Sequence, residues 1–244
     1  MLPYVSSLND ADFLAGSLIL VDKPKGWTSF DVVNKIRWLL RKKYNVKNIK
    51  VGHSGTLDPM ATGLLLLCTG KYTKELHHLT GLDKKYTGEI TLGIETATYD
   101  AEGEIIFEKE VPVLTREEIE TILSQFKGEI DQYPPAYSAI KKDGKPAYLL
   151  ARKGRDVVLE PRPINISAFD VHVEQMPVVR FRVVCSTGTY IRSLANDFGR
   201  ALGCGAYLSS LCRTRIGEFK LEDAKSVEDW VKEIQEVLQE SQNG

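Results

Sequence analysis

The sequence predicts an α+β fold, on three observations. Strand-type alternation and helix-type apolar stripes are interspersed along the chain without a regular βαβ rhythm. No Gly/Ser/Pro-rich linker divides it, and no repeat of solenoid period is visible. Finally, 43% of the 244 residues are hydrophobic, too many for a disordered chain. A chain of this length buries roughly 70–75% of its unfolded surface, so an independent core is expected.

Taken in order, Ser17 to Val21 reads as a short buried strand, closed by the turn residues Asp22-Lys23-Pro24-Lys25-Gly26. Ser29 is placed as a helix N-cap, with Asp31 in the first turn and Phe30, Val33, Ile36 and Leu40 along one face. Asn48 to Val51 suggests a strand that leads into the glycine-rich GHSGTLDPMATG. Leu64 to Leu67 continues as an apolar run, Lys71 to Leu79 is expected to be helical, and Tyr86 to Ile94 alternates like a strand. Thr115 and Glu118 form a capping box ahead of the stripe Ile119, Ile122, Leu123 and Phe126. Val178 to Ser186 is a strand, Thr189 to Leu202 a helix, and Ser226 to Leu238 an amphipathic terminal helix.

Several function classes are excluded on chemical grounds. The longest apolar run, Gly63 to Cys68, falls far short of the ~18–20 residues a membrane helix needs. The N-terminus lacks the basic-then-apolar order of a signal peptide, so a cytoplasmic protein without membrane attachment is expected. Cys68, Cys185, Cys204 and Cys212 form no CxxC pair and are read as reduced, mostly buried thiols, and no metal is expected. His77 and His78 are adjacent, point in different directions on a helix and make no ligand pair by themselves.

Net charge is −1, but it is unevenly spread: Glu222 to Gly244 carries −5 and the remainder +4. Arg37 to Lys50 holds six bases and no acid. Such a local field suits a polyanion, although a run of this kind also suits a solvated helix face. Pro134 to Gly154 mixes turn residues, tyrosines and many cations. Composition alone fits either a mobile arm reaching a polyanion or an ordinary surface hairpin.

Gly52 to Gly63 is the most unusual stretch. Gly52, Gly55 and Gly63 permit tight turns, and Pro59 stiffens the backbone just after Asp58. It is no phosphate-cradling loop, since GxxxxGK[ST] is absent. Thr56 stands where a GxSxG elbow around Ser54 would need glycine, which removes a hydrolase reading. A carboxylate on a rigid loop at the end of a strand suits catalysis. An aspartate in a turn also caps local amides, and the residues alone leave both roles open.

Six ordered segments carry a family resemblance: KPKGWTSFDVV (Lys23 to Val33), GHSGTLDPMATGLLLL (Gly52 to Leu67), KKYTGEITLG (Lys84 to Gly93), PPAYSAIKKDGKPAY (Pro134 to Tyr148), GTYIRSL (Gly188 to Leu194) and LCRTRIG (Leu211 to Gly217). Together they closely resemble the TruB family of pseudouridine synthases, the bacterial enzymes acting on the T arm of tRNA. The resemblance implies a catalytic domain with a central, mainly antiparallel sheet flanked by helices, and a flexible insertion at about 134–154 that clamps the RNA. It implies isomerisation of the T-loop uridine at position 55 of tRNA, by a monomer, with no cofactor and no metal. The domain is expected over residues 16–220, after an N-terminal extension at 1–15. An acidic helical tail is expected at 221–244, without the PUA RNA-binding domain many relatives carry.

Residue by residue, the resemblance makes Asp58 the catalytic carboxylate, which either attacks ribose C1′ or removes a C2′ proton. Arg192 matches the arginine that pairs with it. Opposite unit charges ~4 Å apart at an effective dielectric of ~20 attract by about 4 kcal/mol, offsetting the cost of an aspartate in an apolar pocket. Tyr86 matches the tyrosine that stacks on the target base, a contact of roughly 1–3 kcal/mol, and that takes part in proton transfer. His53 matches the histidine occupying the space of the flipped nucleotide. Tyr190 and Leu211 match positions lining the uracil pocket, though both also suit a plain core. Lys23 and Pro24 match a motif read as structural support. Cys212 stands where many relatives have arginine, and Ser54 where threonine is commoner. Two other functions fit less well. An RNA-folding module would not need Asp58, Arg192 and Tyr86, and a guide-RNA-dependent synthase would use the missing PUA region.

Overall fold

A computed structural model describes residues 3–7, 11–142, 144–155 and 157–243, without the side chains of 174 and 237–243. The chain forms two compact units, Met1–Lys85 with Cys212–Gly244, and Tyr86–Leu211. The first half of the chain contains β1 (Leu18–Lys23), α1 (Ser29–Lys43), β2 (Val51–His53), β3 (Thr62–Thr69), α2 (Leu76–Gly81), β4 (Lys84–Leu92), β5 (Ile94–Thr96), β6 (Ile105–Glu108) and α3 (Arg116–Ser124). Then come β7 (Gly128–Gln132), β8 (Lys141–Lys142), β9 (Lys145–Pro146), α4 (Ala147–Ala151), β10 (Arg162–Gln175) and β11 (Val178–Cys185). The chain closes with α5 (Ile191–Ala201), β12 (Ala206–Ile216), β13 (Phe219–Lys220), β14 (Lys225–Ser226) and α6 (Val227–Asn243).

In the first unit β1 pairs antiparallel with β3, Lys23 opposite Gly63, and parallel with β14. β3 also pairs antiparallel with β2 and parallel with β12. The apolar run of β3 is continuous because both its faces are covered. Leu65 and Leu67 pack with Ile19, Val21, α1 and Trp230 of α6. Leu64, Leu66 and Cys68 pack on the other face with Leu79, Ile216 and Phe219. The acidic C-terminal segment is therefore part of this core: Trp230 is buried and donates from Nε1 to the Leu20 carbonyl at 3.0 Å.

In the second unit the strands run in the order β4, β11, β10, β7. β10 is antiparallel to both β11 and β7. Phe126, Phe169, Phe181 and Phe198 meet edge-to-face, joining this sheet to α5. β5 with β6 and β8 with β9 form separate two-stranded hairpins. The expected mainly antiparallel sheet flanked by helices is present; among the registers described, β1 with β14 and β12 with β3 pair parallel, and an isolated parallel bridge joins Asp100 to Leu208 of β12.

Several boundaries differ from expectation for identifiable reasons. The N-cap of α1 is Thr28, one residue early, because Thr28 and Asp31 close the capping box. Ser29 is instead buried and tied to Leu57, and Phe30 faces out, 60% exposed. Asp22 and Lys23 continue β1 rather than turning. The expected strand at Asn48 starts at Val51. The expected helix from Lys71 is a 3-10 turn over Gly70–Glu75 that passes into α2. The strand from Tyr86 stops at Leu92, since Gly93 has φ +87. His77 and His78 stack, with ring centroids 3.9 Å apart, rather than diverging. The capping box at Thr115 forms as expected. All four cysteines are free thiols, three of them buried; burial pushes the Cys68 thiol up to about 12. Within 134–154, where residue 143 lies outside the described residues, the chain forms the β8–β9 hairpin and α4.

Candidate functional site

β2 and β3 are antiparallel neighbours, so the GHSGTLDPMATG segment is the loop of a β-hairpin. Buried groups fasten that loop at successive points. Ser54 N donates to the Leu66 carbonyl at 3.0 Å. Arg213, 1% exposed, donates from Nη2 to the Gly55 carbonyl at 3.2 Å and from Nε to the Leu64 carbonyl at 2.8 Å. Leu57 N donates to Ser29 Oγ at 2.8 Å. Gly26 N donates to the Pro59 carbonyl at 2.8 Å, and Ala61 N to the Asp58 carbonyl at 3.0 Å. Asp58 thus sits on backbone held on both sides, partly accessible.

Two buried cations surround this loop. Lys23 donates to the carbonyls of Trp27 (2.6 Å), Pro24 (3.0 Å) and, at the limit, Pro59 (3.5 Å). Burial pushes its ammonium down to about 8; the Asp58 carboxylate works against this, and the like charge of Arg213 adds to it. Asp58 therefore lies within the field of a buried lysine. His53 is held below its usual range by burial, with Arg213 acting in the same direction and a hydrogen bond with Gly55 opposing. Burial thus favours its neutral imidazole.

In the second unit, Arg192 lies in the first turn of α5, 6% exposed. Its Nη1 donates to the Thr98 carbonyl at 3.1 Å and Nη2 to the Tyr137 carbonyl at 3.0 Å. Its Nε lies 3.5 Å from Asp100 Oδ2. Asp100, also buried, accepts from Thr98 Oγ1 and from Glu102 N through its other oxygen. Tyr99, between Thr98 and Asp100, is held at φ +63, a left-handed conformation that a bulky residue keeps only under surrounding constraint. Tyr190 precedes α5, and its N–H and carbonyl form a reciprocal pair with the side chain of buried Gln132, at 2.8 and 3.0 Å. Tyr86 on β4 and Leu211 on β12 are each 8% exposed.

Of the expected site residues, His53 and Asp58 thus belong to the first unit, and Tyr86, Tyr190, Arg192 and Leu211 to the second. Arg213 and Asp100 received no role from the sequence. Arg213 lies inside the quoted LCRTRIG segment, where an arginine at the same strand parity as Leu211 was the available signal. Asp100 lies in a turn-like TYDAEG, which gave none. Among the described residues no group of three His, Cys, Asp or Glu side chains could hold a metal ion, and no helix is long and apolar enough to cross a membrane.

Compared with known families, residues 41–191 match the TruB family pseudouridylate synthase (N terminal domain). The chain belongs to the TruB family. Residues 192–242 match the tRNA pseudouridylate synthase B C-terminal domain of the same family. TruB relatives named tRNA pseudouridine synthase B include that of Phocaeicola vulgatus, 47% identical over 94% of this chain and 100% of that protein. That of Parabacteroides distasonis is 48% identical over 89% of this chain and 93% of that protein. Among solved structures, a Cbf5-Nop10-Gar1 complex is similar with TM-score 0.67 and 30% identity, over 95% of this chain and 58% of that one. An H/ACA RNP bound to a substrate RNA containing 2'-deoxyuridine is similar with TM-score 0.64 and 29% identity, over 90% of this chain and 53% of that one. The TruB chain therefore spans little more than half the length of these two solved relatives, but nearly all of the two curated relatives just named. The family's enzymes are isomerases that make pseudouridine.

Proposed function

We propose that this chain is a tRNA pseudouridine synthase that isomerises the T-loop uridine at position 55, with Asp58 as its catalytic carboxylate. The observation that carries the proposal is the hairpin loop bearing Asp58, fastened at Gly55, Leu57 and Pro59 by Arg213, Ser29, Gly26 and Lys23. Full-length similarity to relatives named tRNA pseudouridine synthase B supports the substrate.

The reaction breaks the N1–C1′ bond and joins C5 of the same base to C1′. C5 loses its proton and N1 gains one, so no electron acceptor and no external group donor enter. Buried in a duplex or a folded loop, the uridine is unreachable and has to be flipped out. The Asp58 carboxylate then assists departure of the base by attack on C1′ or by taking a C2′ proton. Its backbone is already in place before substrate arrives, so little reorganisation remains at the moment of reaction. We assign Arg192 as the counter-charge for this carboxylate and Tyr86 as the ring that stacks on the target uracil and relays a proton. We assign Tyr190 and Leu211 to the walls that stop the detached base escaping. A neutral His53 suits stacking in the vacated space of the RNA.

The test is incubation with an unmodified tRNA transcript followed by mapping of pseudouridine. Product at position 55 with wild-type protein, and none with Asp58→Asn although tRNA binding persists, supports the proposal. A near wild-type rate for Asp58→Asn would overturn the catalytic assignment, and product at other positions would overturn the target.

A further inference from the structure

The outward face of α1 carries features that the fold does not use. Phe30 is 60% exposed and Trp38 47% exposed, large apolar surfaces for a helix whose opposite face is already buried. Trp38 forms one wall of an open groove of about 430 Å³, lined also by Trp27, Asp31, Asn34 and Lys35. Lys42 Nζ lies 3.9 Å from the Trp38 ring centroid and Lys35 Nζ 5.8 Å. Asp31 is turned back to the helix start, where Thr28 N and Oγ1 donate to it at 2.9 and 2.6 Å. Beyond the groove, Arg41, Lys47 and Lys50 are exposed. Arg37 is not available in the same way, since it is spent on Asn34 and the Val51 carbonyl.

We propose that this α1 groove docks an unpaired stretch of RNA, with one base stacked on Trp38 and its flanking phosphates drawn to Lys35, Arg41 and Lys42. The inference rests on the reading of this chain as a tRNA-modifying enzyme and deepens it by adding a contact outside the catalytic loop. Charge and chemistry choose the occupant. Protein-binding surfaces enrich aromatic residues but deplete lysine, whereas aromatic platforms flanked by cations are how single-stranded nucleic acid is held without sequence preference. The groove also abuts the catalytic loop: the Trp27 carbonyl and the Pro59 carbonyl share the ammonium of Lys23.

The experiment measures the affinity of the full chain for a labelled, unmodified tRNA transcript at two salt concentrations, alongside pseudouridine formation by the wild-type protein. Trp38→Ala should weaken binding about tenfold, within what one base–aromatic stack contributes, and Trp38→Phe should restore most of it. Lys35→Ala with Lys42→Ala should flatten the log–log salt dependence by about 1.4–1.8, the share of two phosphate contacts. Affinity of Trp38→Ala within twofold of wild type, or a loss that Trp38→Phe does not rescue, would overturn the groove while leaving the enzyme reading intact. A wild-type protein that neither binds nor modifies the transcript would instead overturn the tRNA reading on which the groove depends.

Discussion

Lys23 Nζ donates to the Trp27 carbonyl at 2.6 Å from a fully buried position, and its charge acts on Asp58. Its ammonium, pushed down to about 8, titrates near physiological pH. Above pH 8 the Trp27 and Pro59 carbonyls lose a charged donor and Asp58 loses a nearby cation. Single-turnover isomerisation should therefore fall as pH rises through about 8. Lys23→Met should be slower at neutral pH and should lack this alkaline limb. Unfolding does not explain such a fall. Between about 8 and the usual 10.5 the unfolded chain holds this proton more firmly than the folded one, so this group alone makes the fold more stable as pH rises. An alkaline limb that survives in Lys23→Met would assign the titration to another group.

Gly63 and Arg213 are register partners of β3 and β12, and a β-carbon on Gly63 would lie 2.4 Å from the Arg213 carbonyl oxygen. Gly63 also has φ +102. Gly63→Ala should lower stability by about 2–4 kcal/mol through strain and overpacking together. Chemical denaturation is the measurement, and a change below ~0.5 kcal/mol, the range of neutral surface substitutions, would contradict the close approach.

These two cases show where the sequence was legible. The glycines and proline of Gly52 to Gly63 marked a constrained loop, because only turn chemistry explains that pattern. What fastens the loop was harder to see. Arg213 and Lys23 occupy strand positions that normally hold apolar side chains, and only their hydrogen bonds to carbonyls make them tolerable there. β10 escaped notice because a register shift between Ile166 and Ala168 breaks its alternation. β12 is hard to read for a similar reason: its buried positions, Ala206, Leu208, Leu211, Arg213 and Ile216, do not keep a period of two throughout and include a cation. Ser29 and Thr28 are both good N-caps, so propensity could not choose between them. The burial of Ser29 against Leu57 did.

Asp100 and Arg192 form a buried pair in the second unit, Nε to Oδ2 3.5 Å. Asp100→Asn keeps the shape but removes the charge that faces the guanidinium. If Arg192 serves the catalytic carboxylate, the variant should lose at least about tenfold in the rate at saturating tRNA, equal to ~1.4 kcal/mol of barrier. Its affinity for tRNA should change little. Asp100→Ala should in addition lower stability by about 3 kcal/mol, since it leaves a buried charge short of its partner. A loss in affinity with an unchanged saturating rate would place the pair in RNA binding rather than in chemistry.

The last prediction concerns the β8–β9 hairpin, where the register sets Lys142 opposite Lys145 and Lys141 opposite Pro146. Lys142 is committed locally, its Nζ donating to the Val158 carbonyl at 2.6 Å. Lys141 and Lys145 are exposed, and like charges crowded on a two-residue hairpin are stabilised by a bound polyanion. Binding of a minimal T-arm stem-loop should therefore weaken steeply with salt. Replacing Lys141 and Lys145 together by Ala should reduce the slope by about 1.4–1.8, at ~0.7–0.9 per phosphate contact. Lys142→Ala should change the slope less than either, because its ammonium already has a carbonyl partner. The slopes come from competition titrations at three or more salt concentrations with identical RNA. If the double variant kept the wild-type slope, the hairpin would make no phosphate contacts, and the salt dependence would have to come from other cations, those of α1 first among them.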